Sequence, residues 1–472
     1  MTHPLLTVRG LSVHAPTGPL LQPLSFSLEA GECLVLMGES GAGKSLLAQA
    51  IMGALPPGLR AAGEVLLDGV ASAAADGTAR RPAWGRRLAL LPQEPAVALS
   101  PLMRLRAQLA EVHACVRGTG WDAADRLADD ALDRVGLGAA RARLPGELSG
   151  GMAQRAAAAI ATAGGARVVL ADEPTKGLDA HWRDAAVRTM RDGAAQGQAL
   201  VVITHDVAVA KQLGGRILVL RQGEVVESGD THTVLQSPAH PFTRELLAAD
   251  PSAWHRHAGA VRPDAPPLIE VHGVSKRWQG PPVFDQVDLC VREGQRLALV
   301  GPSGGGKSTL GQILLGLLPP DTGRVVRHRA AAGTACQKLY QDPVKAFPPT
   351  QPLRDHLREV MRRHGGQWTT VSTWLARVGL DESLLHRPAT QVSGGELQRL
   401  ALVRALLARP RFVFADEPTS RLDPLTQQAT VRGLVDALDE LGAAMLLVTH
   451  DEALAGALSE RVLSLRDGRL SA

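Results

Sequence analysis

Aromatic residues are scarce in this chain: Phe, Trp and Tyr together make up 3% of it, with a single Tyr. So few flat rings leave little on which bases could stack, and no run of Lys or Arg is long enough to grip a polyanion. Lys plus Arg (51) nearly balance Asp plus Glu (47), a formal charge of +4, so no nucleic-acid partner is expected. The four cysteines, Cys33, Cys115, Cys290 and Cys336, are far apart and form no CxxC pair. Neither a disulfide framework nor a zinc site is expected, and buried thiols in a reducing cytoplasm are the default. Also missing is any apolar stretch near the roughly 20 residues that cross a bilayer, and "MTHPLLTVRG" does not read as a leader. If the protein works at a membrane, another chain is expected to supply the spanning segments.

What the chain has in abundance is repetition. Its 472 residues exceed one ordinary core and fit two or three domains. "GESGAGKSLLAQAIMG" (Gly38–Gly53) returns as "GPSGGGKSTLGQILLG" (Gly301–Gly316), and "LSFSLEAGECLVLMG" returns as "VDLCVREGQRLALVG". Further pairs follow in the same order: "LPQEP" and "LYQDP", "LSGGMAQR" and "VSGGELQR", "VVLADEPT" and "FVFADEPT", "VVITHD" and "LLVTHD". Ser149 precedes Glu173 by the same 24 residues that separate Ser393 from Glu417. Lys44 to Gln93 is 49 residues but Lys307 to Gln341 only 34, a trimming in a stretch of short strands and turns. Segments 100–145 and 349–388 carry Leu and Ala at helical spacing. Residues 250–267, rich in Pro and Ala, read as an exposed linker between domains 1–249 and 268–472.

The GxxxxGK[ST] pattern has a specific physical logic. Glycines let successive backbone N–H groups face a phosphate chain, and the helix that follows adds its positive end. Binding is expected from Gly38, Ser40, Gly41, Gly43, Lys44, Ser45 and Leu46, and again from Gly301, Ser303, Gly304, Gly306, Lys307, Ser308 and Thr309. The lysines would reach the β/γ-phosphates, and Ser45 and Ser308 would ligate Mg²⁺. Strands ending in Asp172–Glu173 and Asp416–Glu417 would bring one carboxylate to the metal and a second to an attacking water. His205 and His450, 32 and 33 residues beyond those glutamates, would help fix that water.

Together these motifs make the chain resemble the nucleotide-binding subunit of an ABC transporter, duplicated in one polypeptide; "LSGGM" and "VSGGE" discriminate it from generic phosphate-loop ATPases. The resemblance implies an α/β fold: two tandem P-loop domains, each with a mostly parallel core sheet, an antiparallel β subdomain and a helical subdomain. It further implies that Ser149, Gly150 and Gly151, and likewise Ser393, Gly394 and Gly395, bind the γ-phosphate held by the opposite domain. Gln93 and Gln341 would contact metal and water, and Asp179 and Asp423 would lie in the loops linking the two sites. Trp278 would stack on adenine, whereas Ala15 stands at the aligned position of the first half, beside His14.

"SPAHPFTRELL" is similar to the tail of ATPase subunits of the oligopeptide, dipeptide and nickel importers. That likeness implies ATP and Mg²⁺ as cofactors, two membrane permease subunits as partners, an extracytoplasmic solute-binding protein reached through them, and a peripheral place on the cytoplasmic membrane face. The alternative is a soluble ABC-type ATPase acting on ribosomes or DNA. It would call for a longer charged linker, a coiled coil or paired cysteines, none of which the sequence carries.

Overall fold

Short runs of aliphatic and β-branched residues build the centre of each half. Strands Cys33–Gly38, Val168–Asp172 and Ala199–Ile203 are buried at every position, as are Arg296–Val300, Phe412–Asp416 and Ala444–Val448. Strands without apolar/polar alternation need cover on both faces, which is the signature of a parallel sheet between layers. The computed structural model describes residues 3–94, 98–256, 264–278, 282–302, 304–331, 333–420 and 422–471. They form two units, Met1–Ala248 and Ala249–Ala472. Of the expected site residues, Ser303 alone lies outside the described ones.

In the first unit the main sheet runs Leu88–Leu91, Val168–Asp172, Ala199–Ile203, Cys33–Gly38, Arg216–Arg221, Glu224–Asp230; only the last pairing is antiparallel. The second unit repeats the order with Cys336–Leu339, Phe412–Asp416, Ala444–Val448, Arg296–Val300, Arg461–Arg466 and Arg469–Ser471. Alternate residues of one strand divide between two cores. Leu297 and Leu299 join the cluster beneath the antiparallel sheet and helix Lys307–Leu314, whereas Ala298 and Val300 join the cluster under the helical layer. The parallel order puts the C-terminal ends of these strands, and hence Gly38, Asp172 and the residue after Ile203, at one edge of the sheet.

The trimmed region is visible as a lost strand. The first unit's antiparallel sheet has four strands, ordered Gly18–Leu28, Leu6–Ala15, Arg60–Leu67, Val70–Ala73. Its counterpart has three among the described residues, Pro282–Arg292, Pro267–Arg277 and Thr322–Arg327. The segments expected to be helical are so: Trp121–Arg134 buries Ala124, Ala128, Ala131 and Leu132, and Leu353–His364 buries Leu353, Leu357 and Met361.

One expectation gains detail and one needs correction. The segment read as an exposed linker starts tied to the second unit, where Trp254 packs against the core and Arg256 Nη2 donates to the carbonyls of Ser459 (3.2 Å) and Glu460 (2.8 Å). Residues 257–263 of it lie outside the described ones. Of the thiols only Cys33 is buried, its pKa pushed up to about 12 by desolvation, while Cys115 is exposed. Composition gave no sign of either, since both depend on what packs alongside.

Candidate functional site

Each glycine-rich turn leaves a buried strand at a glycine that the neighbouring strand enforces. Gly38 has φ +146°, and a Cβ there would stand 2.1 Å from the Leu220 carbonyl oxygen. Gly301 repeats this at φ +149° and 2.3 Å from the Leu465 oxygen. Beyond the turn begin helices Lys44–Met52 and Lys307–Leu314. Lys44 Nζ folds back to donate to the carbonyls of Gly38 (2.8 Å) and Glu39 (2.7 Å). Lys307 Nζ does the same to Gly301 (2.7 Å) and Pro302 (2.8 Å). Each loop therefore couples a lysine charge and a helix N-terminus with open space beside Gly41 or Gly304, where a Cβ would meet nothing within 4 Å. That combination fits a chain of phosphates. Leu46 turns away and packs against the core, so only its backbone faces the loop side. Ser40 is exposed in the turn and Thr309 is half-buried.

One residue into each helix, Ser45 stands beside Asp172 and Ser308 beside Asp416. Burial pushes both aspartates above the usual carboxylate range, opposed by those hydroxyls. A buried carboxylate beside a hydroxyl is the oxygen-donor set that a hard divalent cation suits.

The adjoining glutamates are tuned the opposite way. Burial raises Glu173 and Glu417 too, but His205 and His450 beside them win, and both carboxyls lie below their ordinary range. In turn the histidines, which burial alone would depress, are raised by those carboxylates. His205 Nδ1 lies 2.8 Å from Glu173 Oε1, and His450 Nδ1 lies 3.4 Å from Glu417 Oε1. Neighbouring carboxyls with separated affinities for a proton are the arrangement that assigns different roles to each. The local sequence explains the histidines' placement: in Thr-His-Asp the flanking residues make a turn and a helix cap. Asp206 N donates to Thr204 Oγ1 (3.1 Å) and Val209 N to Asp206 Oδ1 (3.0 Å), with Thr449 and Asp451 repeating the pattern.

Gln341 Nε2 donates to Glu417 Oε2 at 2.9 Å, whereas exposed Gln93 makes no bond to Glu173 among the described residues. The serine-glycine turns sit apart from these clusters. Ser149 caps helix Gly150–Ala163 and Ser393 caps Gly394–Leu407, the latter within a capping box closed by Glu396. Among the described residues no hydrogen bond joins Ser149, Gly150, Gly151, Ser393, Gly394 or Gly395 to the phosphate loop of its own unit. Asp179 and Asp423, expected in the loops that link the sites, cap helices within their units, accepting from Trp182 N and Thr426 N at 3.1 Å each.

With this geometry in place, comparison with known proteins is decisive. The sequence model of the ABC transporter family matches residues 21–176 and 284–420. The chain belongs to the ABC transporter family. As an ABC protein with two fused nucleotide-binding segments it binds and hydrolyses ATP. It is 32% identical to the peptidoglycan transport ATP-binding protein YejF of Agrobacterium fabrum, over 99% of this chain and 92% of that one. It is 33% identical to an ABC transporter ATP-binding protein of Escherichia coli K12, also called YejF, over 100% and 95%. The glutathione import ATP-binding protein GsiA of the same strain is 30% identical over 95% and 82%. Among solved structures, an archaeal ribosome recycling factor, aABCE1, aligns with a TM-score of 0.70 over 96% of this chain and 87% of that one. At 21% identity that likeness concerns the fold alone.

Trp278, at the end of strand Pro267–Arg277, is 56% exposed, free to offer a ring face. Val283 and Phe284, on the returning strand, press against Gly306 of the phosphate loop, which sets Trp278's hairpin beside it. Lys276 Nζ lies 5.2 Å from the Trp278 ring centroid and pairs with Asp321 Oδ1 at 2.6 Å; Asp321 Oδ2 accepts from Arg277 N at 2.7 Å. Sequence reasoning missed this support, although a signal was there: Val13, Ala15 and Gly58 occupy the corresponding places of the first half. In that unit His14 Nε2 meets Ser12 Oγ at 3.0 Å instead.

Proposed function

We propose that the chain is the ATP-hydrolysing subunit of an ABC importer whose two ATP sites are composite. Site one combines Lys44, Ser45, Gln93, Asp172, Glu173 and His205 with Ser393 and Gly395; site two combines Lys307, Ser308, Gln341, Asp416, Glu417 and His450 with Ser149 and Gly151. The observation that carries this reading is a separation repeated in both units. Lysine, Ser–Asp pair and Glu–His pair gather around each loop, while the serine-glycine turn presents an exposed helix start with no bond to that loop among the described residues. Fusion then supplies each turn to its partner loop at the high effective concentration of a tether.

In each site the loop amides and lysine hold the β- and γ-phosphates in line with the attacking water. The glutamate, kept anionic beside its histidine, accepts that water's hydrogen bond, and the histidine steadies both glutamate and γ-phosphate. Ser45, Asp172 and Gln93, and correspondingly Ser308, Asp416 and Gln341, would hold Mg²⁺, which when bound neutralises charge on the β- and γ-phosphates. Gln341 would have to turn from Glu417 to reach the metal, and that same turn frees Glu417 Oε2 for the water.

No described helix is long and apolar enough to cross a membrane. On this reading two permease subunits supply the pathway and an extracytoplasmic binding protein delivers the solute. The relatives named for peptidoglycan transport and glutathione import support a peptide-containing cargo within the peptide and nickel group. A role on ribosomes or DNA has only the fold likeness behind it.

The composite reading is tested in a Glu417→Gln background, where site one alone turns over. Ser393→Ala should then abolish the remaining ATP hydrolysis and Ser149→Ala should spare it; the reverse pattern overturns the pairing. For the transport role, the protein should co-purify with integral membrane chains that raise its turnover, and co-purification with ribosomes or DNA instead would defeat it.

A further inference from the structure

Seven non-glycine residues among those described have a left-handed backbone. Asp68, Gln222 and Asp467 each precede a glycine in a hairpin turn, Arg409 follows a helix end, and Gln286 sits in a bulged strand pair. Glu173 (φ +51°) and Glu417 (φ +48°) are different, because each lies immediately past a fully buried parallel strand. Strain of this kind persists where surrounding contacts over-determine it, and it aims a side chain. In both units the amide of Glu173 or Glu417 is held by the adjoining strand, donating to Ile203 O or Val448 O at 2.9 Å.

The carbonyl side is held by a glutamine. Gln154, 2% exposed, donates from Nε2 to the carbonyls of Glu173 (3.3 Å) and Pro174 (3.1 Å). Gln398, 4% exposed, donates to the Glu417 carbonyl at 3.1 Å. Each glutamine stands 19 residues before its glutamate and one turn inside the helix that the serine-glycine turn begins. We infer that Gln154 and Gln398 are positioning residues that lock the left-handed glutamates, and thereby their carboxylates, in the orientation hydrolysis requires. Because each rides on the helix opened by Ser149 or Ser393, it also ties the aim of one site's carboxylate to the helix whose start serves the other site. This inference rests on the proposed role of the glutamates and on the composite pairing.

The test replaces Gln154 or Gln398 by Met, equal in length but unable to donate, in the full chain. With one donor gone, kcat at the affected site should fall on the order of tenfold while KM for ATP and the affinity for a non-hydrolysable ATP analogue stay unchanged. A purely structural glutamine would lower thermal stability and leave kcat per folded molecule intact, and that result overturns the inference. Should a Met variant fail to fold, Gln154→Asn and Gln398→Asn keep the amide but shorten its reach, and the same kcat loss at constant KM is required of them. Glu173→Gln and Glu417→Gln run alongside separate the two readings. If the two substitutions combined leave turnover intact the glutamates' role itself fails; if together they abolish it while the Met variants keep their kcat, only the glutamine assignment fails.

Discussion

The two units build the same glycine-rich loop and acid cluster and differ in the residues set around them. Lysine, serine, Asp–Glu pair and histidine recur in both, and each lysine lies 2.7–2.8 Å from two loop carbonyls. The second unit has an exposed Trp braced by Lys276 and Asp321, where the first has Ala15, Val13 and Gly58. Its serine-glycine turn is closed by Glu396, where the first has Met152. Phosphate geometry is shared by every turnover and tolerates no drift. Grip on the base and stiffness of the turn set how tightly and how readily a site fills, so they can diverge between copies.

The sharpest way to break the proposed equivalence is Glu173→Gln against Glu417→Gln. Each should lower turnover at its own site by roughly a hundred- to ten-thousandfold, leaving the other site's share of ATP hydrolysis. If one substitution leaves the steady-state rate unchanged and the other abolishes it, only one unit does chemistry. Next in size is the base. Trp278→Ala should weaken ATP binding at the second unit's loop by about 1–3 kcal/mol while leaving tripolyphosphate binding untouched. Ala15→Trp should strengthen the first unit by less, since it lacks the Lys276–Asp321 brace, and titration calorimetry would measure both. Asp321→Ala should reproduce part of the Trp278→Ala loss.

A smaller effect comes from proton linkage. Depressed Glu173 and Glu417 contribute stability that is present above the unfolded carboxylate value near 4.3 and lost as pH falls through their lower folded values. Raised His205 and His450 contribute stability that is full below about 6.5 and lost as pH rises through their higher folded values. Scanning calorimetry should therefore show wild type losing more stability than the Glu→Gln variants as pH climbs above that range. Smallest is the cap: Glu396→Met should cost the second unit about 0.3–1 kcal/mol in chemical denaturation, with Met152→Glu giving the first a similar gain.

The phosphate loops, the acids and the histidines were all legible in the sequence because their chemistry needs fixed residue types at fixed backbone points. The layered α/β fold followed from unbroken apolar runs ahead of them. Gln154 and Gln398 stood in quoted motifs yet carried no assigned role, since their partners lie 19 residues away and are backbone atoms. The brace on Trp278 escaped for a similar reason: Asp321 meets Lys276 only through the register of strands Pro267–Arg277 and Thr322–Arg327. Asp179 and Asp423 show the converse, a motif position that also has an ordinary local duty as a helix cap.

The shortened antiparallel sheet of the second unit has an effect of its own on association. With no equivalent of Val70–Ala73 among the described residues, strand Thr322–Arg327 becomes a border strand whose outer amides and carbonyls could template pairing with a foreign strand. Arg324 is exposed on that border, and its charge would repel a second copy approaching edge to edge, whereas half-buried Arg327 is engaged by the carbonyls of Leu314 and Ile313. Neutralising Arg324 removes this guard and should raise the chain's tendency to self-associate, although no residue of the nucleotide sites has changed.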